Sequence, residues 1–221
     1  MKVSLIAVTQ PLIRLLPGSS TDRPLTPEEL IVYAARVSNP SNQLNVETGA
    51  RLLRYCLKNK HWSIFETVSM TVEIQTSRAI AAQILRHRSF TFQEFSQRYA
   101  AASNYEFPQF RMKGSTNRQG STEQLASEEL EKAGLDAVVR AFDVYNDMIE
   151  KGVAPESARM ILPLCTQTTL YMTGSVRSWI HYLEQRTSPH AQKEHRLVAL
   201  QIQEIFNQQF PETAEAMKGD A

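Results

Sequence analysis

Between positions 83 and 99 the chain concentrates side chains that can bind anions and move protons. Gln83, Arg86 and His87 stand at i, i+3 and i+4, the spacing of neighbours on one helix surface, and Ala79 and Ala82 keep that surface low. Something can therefore approach closely and meet an amide, a guanidinium and an imidazole. Arg88 follows at once. Further on, Glu94, Ser96 and Arg98 alternate with Phe95, Gln97 and Tyr99, so an extended backbone would put the first three on one side. Basic residues ending a helix also complement its macrodipole, at about 0.3 to 1 kcal/mol each, and that reading alone explains Arg86 and Arg88. The alternating stretch tips the balance towards a site for an anionic ligand.

The whole-chain numbers make that site local. The formal net charge is +1 over 221 residues, which argues against a protein that coats nucleic acid through a broad basic excess. Arginine nevertheless outnumbers lysine by 16 to 8, and arginine suits planar, two-pronged recognition of phosphate and carboxylate. Two cysteines, Cys56 and Cys165, make neither a disulfide framework nor a zinc pattern, so a reducing cytoplasm is the expected setting. No run of apolar residues reaches the roughly 18 that a membrane span needs. The opening "MKVSLIAVTQP" is too short for a secretory leader and reads as a first strand.

Several elements must position these residues. "TPEE" at Thr26 to Glu29 predicts a capping box and a helix to about Val37. A second helix carries Leu52, Leu53, Cys56 and Leu57 on one face, which makes Cys56 a core residue. Val68, Met70, Val72 and Ile74 alternate with polar residues and predict a strand with one wet face. The period turns helical from Ser77 to about Arg88. Residues 111 to 127 read as a surface loop leading into a helix that ends before Gly152. "APESARMILPL" predicts another helix and "TTLYMT" a short strand. Ser175 caps a helix to about Arg186, and a final helix starts at Pro189. This irregular interleaving predicts a mixed α/β domain and not a doubly wound sheet.

The stretch Arg-His-Arg, seven residues, Ser, then Arg and Tyr two and three positions on resembles the signature of the flavin-dependent thymidylate synthases. Other segments agree in order: "ARVS" at 35–38, "HWSIFE" at 61–66, "ARMILP" at 158–163, "RSWIHYLEQR" at 177–186 and "SPHAQKE" at 188–194. The resemblance implies an α+β fold: a single mixed domain over residues 1–221, with a small antiparallel-rich sheet packed with several helices, assembling as a homotetramer with sites between subunits. It implies a methyltransferase that converts dUMP to dTMP, with methylenetetrahydrofolate giving the carbon and FAD, reduced by NADPH, giving the electrons. Carried over residue by residue, it assigns Ser38, Ser63, Arg86, His87, Arg88, Glu94, Ser175, Arg177 and His181 to FAD. It assigns Gln83, Arg86, Glu94, Ser96, Gln97, Arg98, Arg159 and Arg186 to dUMP, and puts His61 near flavin and folate. Arg186 is the implied catalytic cation, stabilising negative charge on the uracil. Some members carry Asn where this chain has Ser175 and His181, so the contacts of these two stay open.

These roles are physically reasonable on their own terms. A phosphate dianion is fixed by two-pronged guanidinium contacts. Uracil becomes a carbon nucleophile only when its ring gains electron density, and a fixed cation in a site with little water lowers the cost of that charge. The helix opening at Ser175 offers free amides and a positive dipole end, a seat for a pyrophosphate.

Competing classes are weaker. A cysteine nucleophile needs an activating neighbour, and Cys165 lies between Leu164 and Thr166 with nothing basic beside it. Single-stranded nucleic-acid binding draws on Phe90, Phe92, Phe95 and Tyr99 among cations, but Glu94 and the +1 charge oppose it. A helical scaffold without chemistry leaves Gln83, Arg86, Arg159 and Arg186 without a shared purpose. His190, Glu194 and His195 lack the spacing of a zinc helix and read as a solvated face, so no metal is expected.

Overall fold

The computed structural model describes residues 1–15, 22–115, 120–125 and 127–219. Strand β1 (Lys2–Val8) opens the chain, followed by the two-residue strands β2 (Arg14–Leu15) and β3 (Arg23–Pro24), which pair with each other. Helix α1 (Pro27–Ala35) starts on the expected capping box: Glu29 N–H donates to Thr26 Oγ1 at 3.1 Å, and Thr26 N–H donates to the Glu29 carboxylate at 2.8 Å. Helix α2 (Gly49–Lys58) buries Leu53, Cys56 and Leu57. A 3-10 turn at Trp62–Glu66 leads into strand β4 (Ser69–Ser77), which passes without a loop into helix α3 (Arg78–Ile84). Strand β5 (Thr91–Glu94) follows. Strands β6 (Arg111–Lys113) and β7 (Ser121–Gln124) form a ribbon, and the long helix α4 (Glu128–Glu150) and short helix α5 (Pro155–Ala158) come next. Strand β8 (Gln167–Ser175) runs straight into helix α6 (Val176–Arg186), and helices α7 (Lys193–Gln209) and α8 (Pro211–Lys218) complete the order.

One four-stranded sheet, in the order β1-β4-β8-β5 with every pair antiparallel, organises this mixed α/β domain. Its period-2 pattern decides what goes inside. Met70, Val72 and Ile74 of β4 and Leu170 and Met172 of β8 are fully buried on one face, under Trp179, Ile180 and Leu183 of α6 and Ile202 and Phe206 of α7. Trp179 satisfies its buried N–H on the carbonyl of Met70 at 3.1 Å. The other face is polar, with Thr71 bonded to Thr173 at 2.9 Å and the Tyr171 hydroxyl donating to Glu73 at 2.9 Å. No helix among the described residues is long and apolar enough to cross a membrane.

Several expectations need correction. The helix from Ser77 stops at Ile84; Arg86 N and His87 N then bond three residues back, to Gln83 O and Ile84 O, in a tightening turn. Phe90 draws the chain off the helix axis by packing 4.6 Å from the Trp179 ring, over Gly174, where an added Cβ would lie 2.4 Å from the Phe90 ring. The extended reading of residues 94 to 99 fails beyond Phe95. Ser96 O accepts from both Tyr99 N and Ala100 N at 3.1 Å, so the chain turns and Ala102 can donate to the Tyr145 hydroxyl. The helix expected in "APESARMILPL" shrinks to four residues and a 3-10 turn, because Pro163 holds Leu162 extended.

The segment read as a surface loop at 111–127 contains the β6–β7 ribbon; residues 116–119 and 126 lie outside the described ones. The strand expected in "TTLYMT" is nine residues long. The last predicted helix begins at Lys193 and not at Pro189, and α8 was not expected. Its first turn is docked by Glu28, whose buried carboxylate accepts from Glu212 N at 3.1 Å and from Thr213 N and Oγ1 at 2.6 Å.

Candidate active site

Two of the three helices behind the site inherit their direction from the sheet. Because α3 and α6 continue β4 and β8, the antiparallel pairing of those central strands fixes where both helices start. Ser175 accepts from Ser178 N at 3.4 Å and caps α6, whose buried side carries Val176, Trp179, Ile180 and Leu183 as expected. Tyr182 and Arg186 then share a face of α6 at i, i+4.

Arg186 is half-buried, and its Nε donates to His87 Nε2 at 2.9 Å. No carboxylate pairs with it among the described residues. The Tyr182 ring packs 4.9 Å from the His87 ring, and its hydroxyl lies 3.1 Å from His195 Nε2. His195 is fully buried, which overturns its reading as part of a solvated face: α7 turns it inward against α3 and α6. Its Nδ1 lies 3.3 Å from Gln83 Oε1. Gln83 Nε2 donates to Gln192 Oε1 at 2.6 Å, and Gln192 Nε2 donates to Glu194 Oε2 at 2.9 Å. Arg111, on β6, grips both oxygens of Glu194, with Nη2 to Oε2 at 3.0 Å.

Burial and charge act together on this cluster. Burial, reinforced by the Arg186 guanidinium, lowers His87 to about 4. Burial first, then Arg186 and His87, lower His195 to about 3. Both imidazoles are therefore neutral at physiological pH, and the acceptor that holds the Nε of Arg186 is uncharged. Burial also pushes the Tyr182 phenol up, so it stays protonated. Burial alone would raise the Glu194 carboxyl; Arg111 and Gln192 outweigh it and hold it below the usual range.

The remaining expected residues fall into separate groups. Glu94 accepts from Arg78 Nη1 and Thr168 Oγ1, both at 3.0 Å, on one oxygen. Arg86 and Arg88 are exposed and carry no ion pair among the described residues. Ser96 and Arg98 are exposed, and Gln97 between them is buried with its amide nitrogen unpartnered. Arg98 pairs with Glu156 at 3.1 Å, and Arg159 lies three residues beyond that partner. A third group surrounds Glu66: Arg177 pairs with it at 2.9 Å, and the Ser175 side chain, then Arg177, hold its carboxyl low. The seat expected for a pyrophosphate at the start of α6 thus already has a carboxylate. His181 packs 4.4 Å from the Trp62 ring; His61, just before the 3-10 turn, and Ser63, on it, are exposed, as is Ser38 after α1.

Several participants escaped the sequence reading. His195 and Tyr182 join the cluster only through the packing of α7 on α6, although the i, i+4 spacing of Tyr182 and Arg186 was there to be read. Arg78 and Arg111 were hidden because their carboxylate partners lie 16 and 83 positions away. Arg36, in "ARVS", is buried and donates to the carbonyls of Asn42 and Asn45 and to Thr48 Oγ1, which makes it the anchor of the loop before α2.

The chain resembles known proteins in sequence and in fold. A family model described as "Thymidylate synthase complementing protein" matches residues 21–212. The "Probable flavin-dependent thymidylate synthase" of Paramecium bursaria Chlorella virus 1 is 49% identical over 223 residues, covering 98% of this chain and 99% of that relative. The flavin-dependent thymidylate synthase of Synechocystis sp. (strain ATCC 27184 / PCC 6803 / Kazusa) is 47% identical over 221 residues, covering 99% and 100%. Among solved structures, the UMP/dUMP methylase PolB from Streptomyces cacaoi, bound with 5-Br dUMP, superposes with a TM-score of 0.79 at 25% identity, over 99% of this chain and 94% of that one. Sequence match along nearly the whole length and agreement in fold together lead to one conclusion: the chain belongs to the flavin-dependent thymidylate synthase family.

Proposed function

We propose that the protein is a thymidylate synthase that methylates dUMP at its uracil ring, with FAD as cofactor and without a cysteine nucleophile. The observation that carries this reading is Arg186: a half-buried guanidinium with no counter-anion among the described residues, flanked by two imidazoles that cannot take its place as cations. Such a group is a poor structural ion and a good receptor for charge that arises elsewhere. His87 engages its Nε, so the two terminal nitrogens remain for a two-pronged contact with the uracil edge. Gln83, beside it, offers an amide for hydrogen bonding to the same nucleotide.

Arg86 and Arg88, exposed on the turn after α3 and without an ion pair among the described residues, fit the phosphates of FAD better than the start of α6, where Glu66 already stands. Flavin, when bound, supplies the electrons that make a methyl group of the transferred carbon, with NADPH as their source and methylenetetrahydrofolate as the carbon donor. Ser38, Ser63, His87, Glu94, Ser175, Arg177 and His181 complete the proposed flavin surface, with His61 at its folate side. Glu94, Ser96, Gln97, Arg98 and Arg159 complete the nucleotide surface.

Within one chain no contact among the described residues joins Arg98 or Arg159 to the Arg186 cluster. The reading also includes, from the family resemblance alone, a homotetramer in which residues of two chains complete each site. Tyr99 (93% exposed), Met160 (80%) and Leu164 (72%), on the turns around Arg98 and Arg159, are apolar surface for such contacts. A reducing cytoplasm suits a chain whose two cysteines, Cys56 and Cys165, are both free thiols.

The visible spectrum of the purified protein tests the proposal, followed by assay for dTMP from dUMP and methylenetetrahydrofolate. Flavin bands near one per chain, bleached by NADPH and restored by oxygen, together with dTMP formation, are expected. A protein that stays colourless with added FAD and forms no dTMP overturns it.

A further inference from the structure

The hydrogen bonds from Tyr182 to Arg111 form an unbroken line, and one member of it can bond in only one way. Amides can turn over and imidazoles can exchange tautomers, so each middle link is ambiguous by itself. Glu194 is not ambiguous. An ionised carboxylate only accepts, and both its oxygens are held by Arg111. Gln192 must then direct its NH2 to Glu194 and its carbonyl to Gln83. Gln83 must direct its NH2 to Gln192 and its carbonyl to His195. His195 must carry its proton on Nδ1, which leaves Nε2 to accept from the Tyr182 hydroxyl. One partly buried ion pair thus removes every flip in a line that ends inside the core.

We infer that Glu194, paired with Arg111, is a positioning residue that acts through Gln192 to set which end of the Gln83 amide is offered to the pyrimidine. The inference rests on the placement of dUMP against Gln83 proposed above. It also gives the fully buried histidine of α7 a role: in the Nδ1–H form it donates to Gln83 and accepts from Tyr182 at once. The consequence for specificity is direct. An amide locked in one orientation discriminates a ring carbonyl from a ring N–H or amino group, so it separates uracil from cytosine, whereas a freely turning amide accepts both.

The test measures two quantities on flavin-loaded protein: the equilibrium affinity for dUMP, with dCMP as competitor, and the nitrogen-15 shifts of the His195 ring. In the unaltered protein, His195 is expected to be protonated at Nδ1 only. Glu194→Gln, which can donate as well as accept, should give His195 a mixture of tautomers and weaken dUMP about tenfold, with a smaller loss for dCMP. Gln192→Met, at an exposed position, breaks the line without touching the ion pair and should do the same. Neither change should weaken dUMP further in a Gln83→Ala background. A Gln83→Ala variant that binds dUMP normally overturns the nucleotide placement and this inference with it. Weakened binding in Gln83→Ala, with Glu194→Gln and Gln192→Met both silent, overturns the inference alone, as does a proton on Nε2 of His195.

Discussion

Arg186 donates from Nε to Nε2 of His87 at 2.9 Å, so a side chain that cannot lose its proton is joined to one that cannot gain one. The pair therefore carries one positive charge over the whole working pH range. An ordinary ion pair would have cancelled that charge; a neutral acceptor steers the guanidinium and leaves its charge intact.

Arg186→Ala should keep flavin and lose turnover, by about 100- to 1000-fold in kcat, the usual effect of removing one aimed electrostatic group. Arg186→Lys should recover little, because an ammonium cannot hold His87 and a two-pronged contact together. Unchanged methylation rates in Arg186→Ala would show that the activating cation is elsewhere.

Stability should fall with pH between 7 and 5. An imidazole in the unfolded chain takes a proton near pH 6.5, while His195 stays neutral in the fold to about 3 and His87 to about 4. Below 6.5 the unfolded chain binds more protons, and acidification favours it. His195, fully buried, contributes up to about 1.4 kcal/mol per pH unit; His87, half-buried and screened by water, contributes less. The low carboxyls of Glu29, Glu66 and Glu194 lose their contributions only in the carboxylate range below this window. Urea unfolding at pH 7, 6 and 5 should show a shallower slope in His195→Leu; parallel profiles would contradict the assignment.

A Cys56→Ala, Cys165→Ala double variant should keep its turnover. Burial pushes both thiols up, so the thiolate needed for attack is scarce at neutral pH. Complete loss of activity with the fold intact would refute a mechanism without a cysteine adduct.

Glu28→Ala should loosen the C-terminal helix. The carboxylate holds two amides and a hydroxyl at the start of α8, and their loss costs roughly 1–3 kcal/mol. Hydrogen exchange should quicken across residues 211–218 and hardly change in β4 and β8. Unchanged protection of α8 would mean that its apolar face alone holds it.

Elements whose signal is local were legible in the sequence. The capping box of α1, the alternation of β4 and the apolar face of α6 each follow from neighbours a few residues apart, and each is present. The boundaries that failed were set from a distance. Phe90 ends the α3 region because Gly174 makes room for it, and Pro163 and Tyr145 reshape segments that propensity alone would have extended. The candidate site divides in the same way. Gln83 and His87 were named from local spacing and Arg186 from the family resemblance, while His195 and the Arg111–Glu194 pair depend on how α7 and the ribbon pack, which no spacing within one segment encodes.

Ser175 is at once the last residue of β8 and the cap of α6, and Ser77 occupies the same double position between β4 and α3. No slack exists at either junction. A single amino acid inserted there would rotate everything downstream on the helix by about 100°, enough to swing Arg186 out of reach of His87 while sparing the hydrophobic interior of the sheet. Variation in chain length is thus unequally tolerated: harmless in the connecting turns, and ruinous at these two serines.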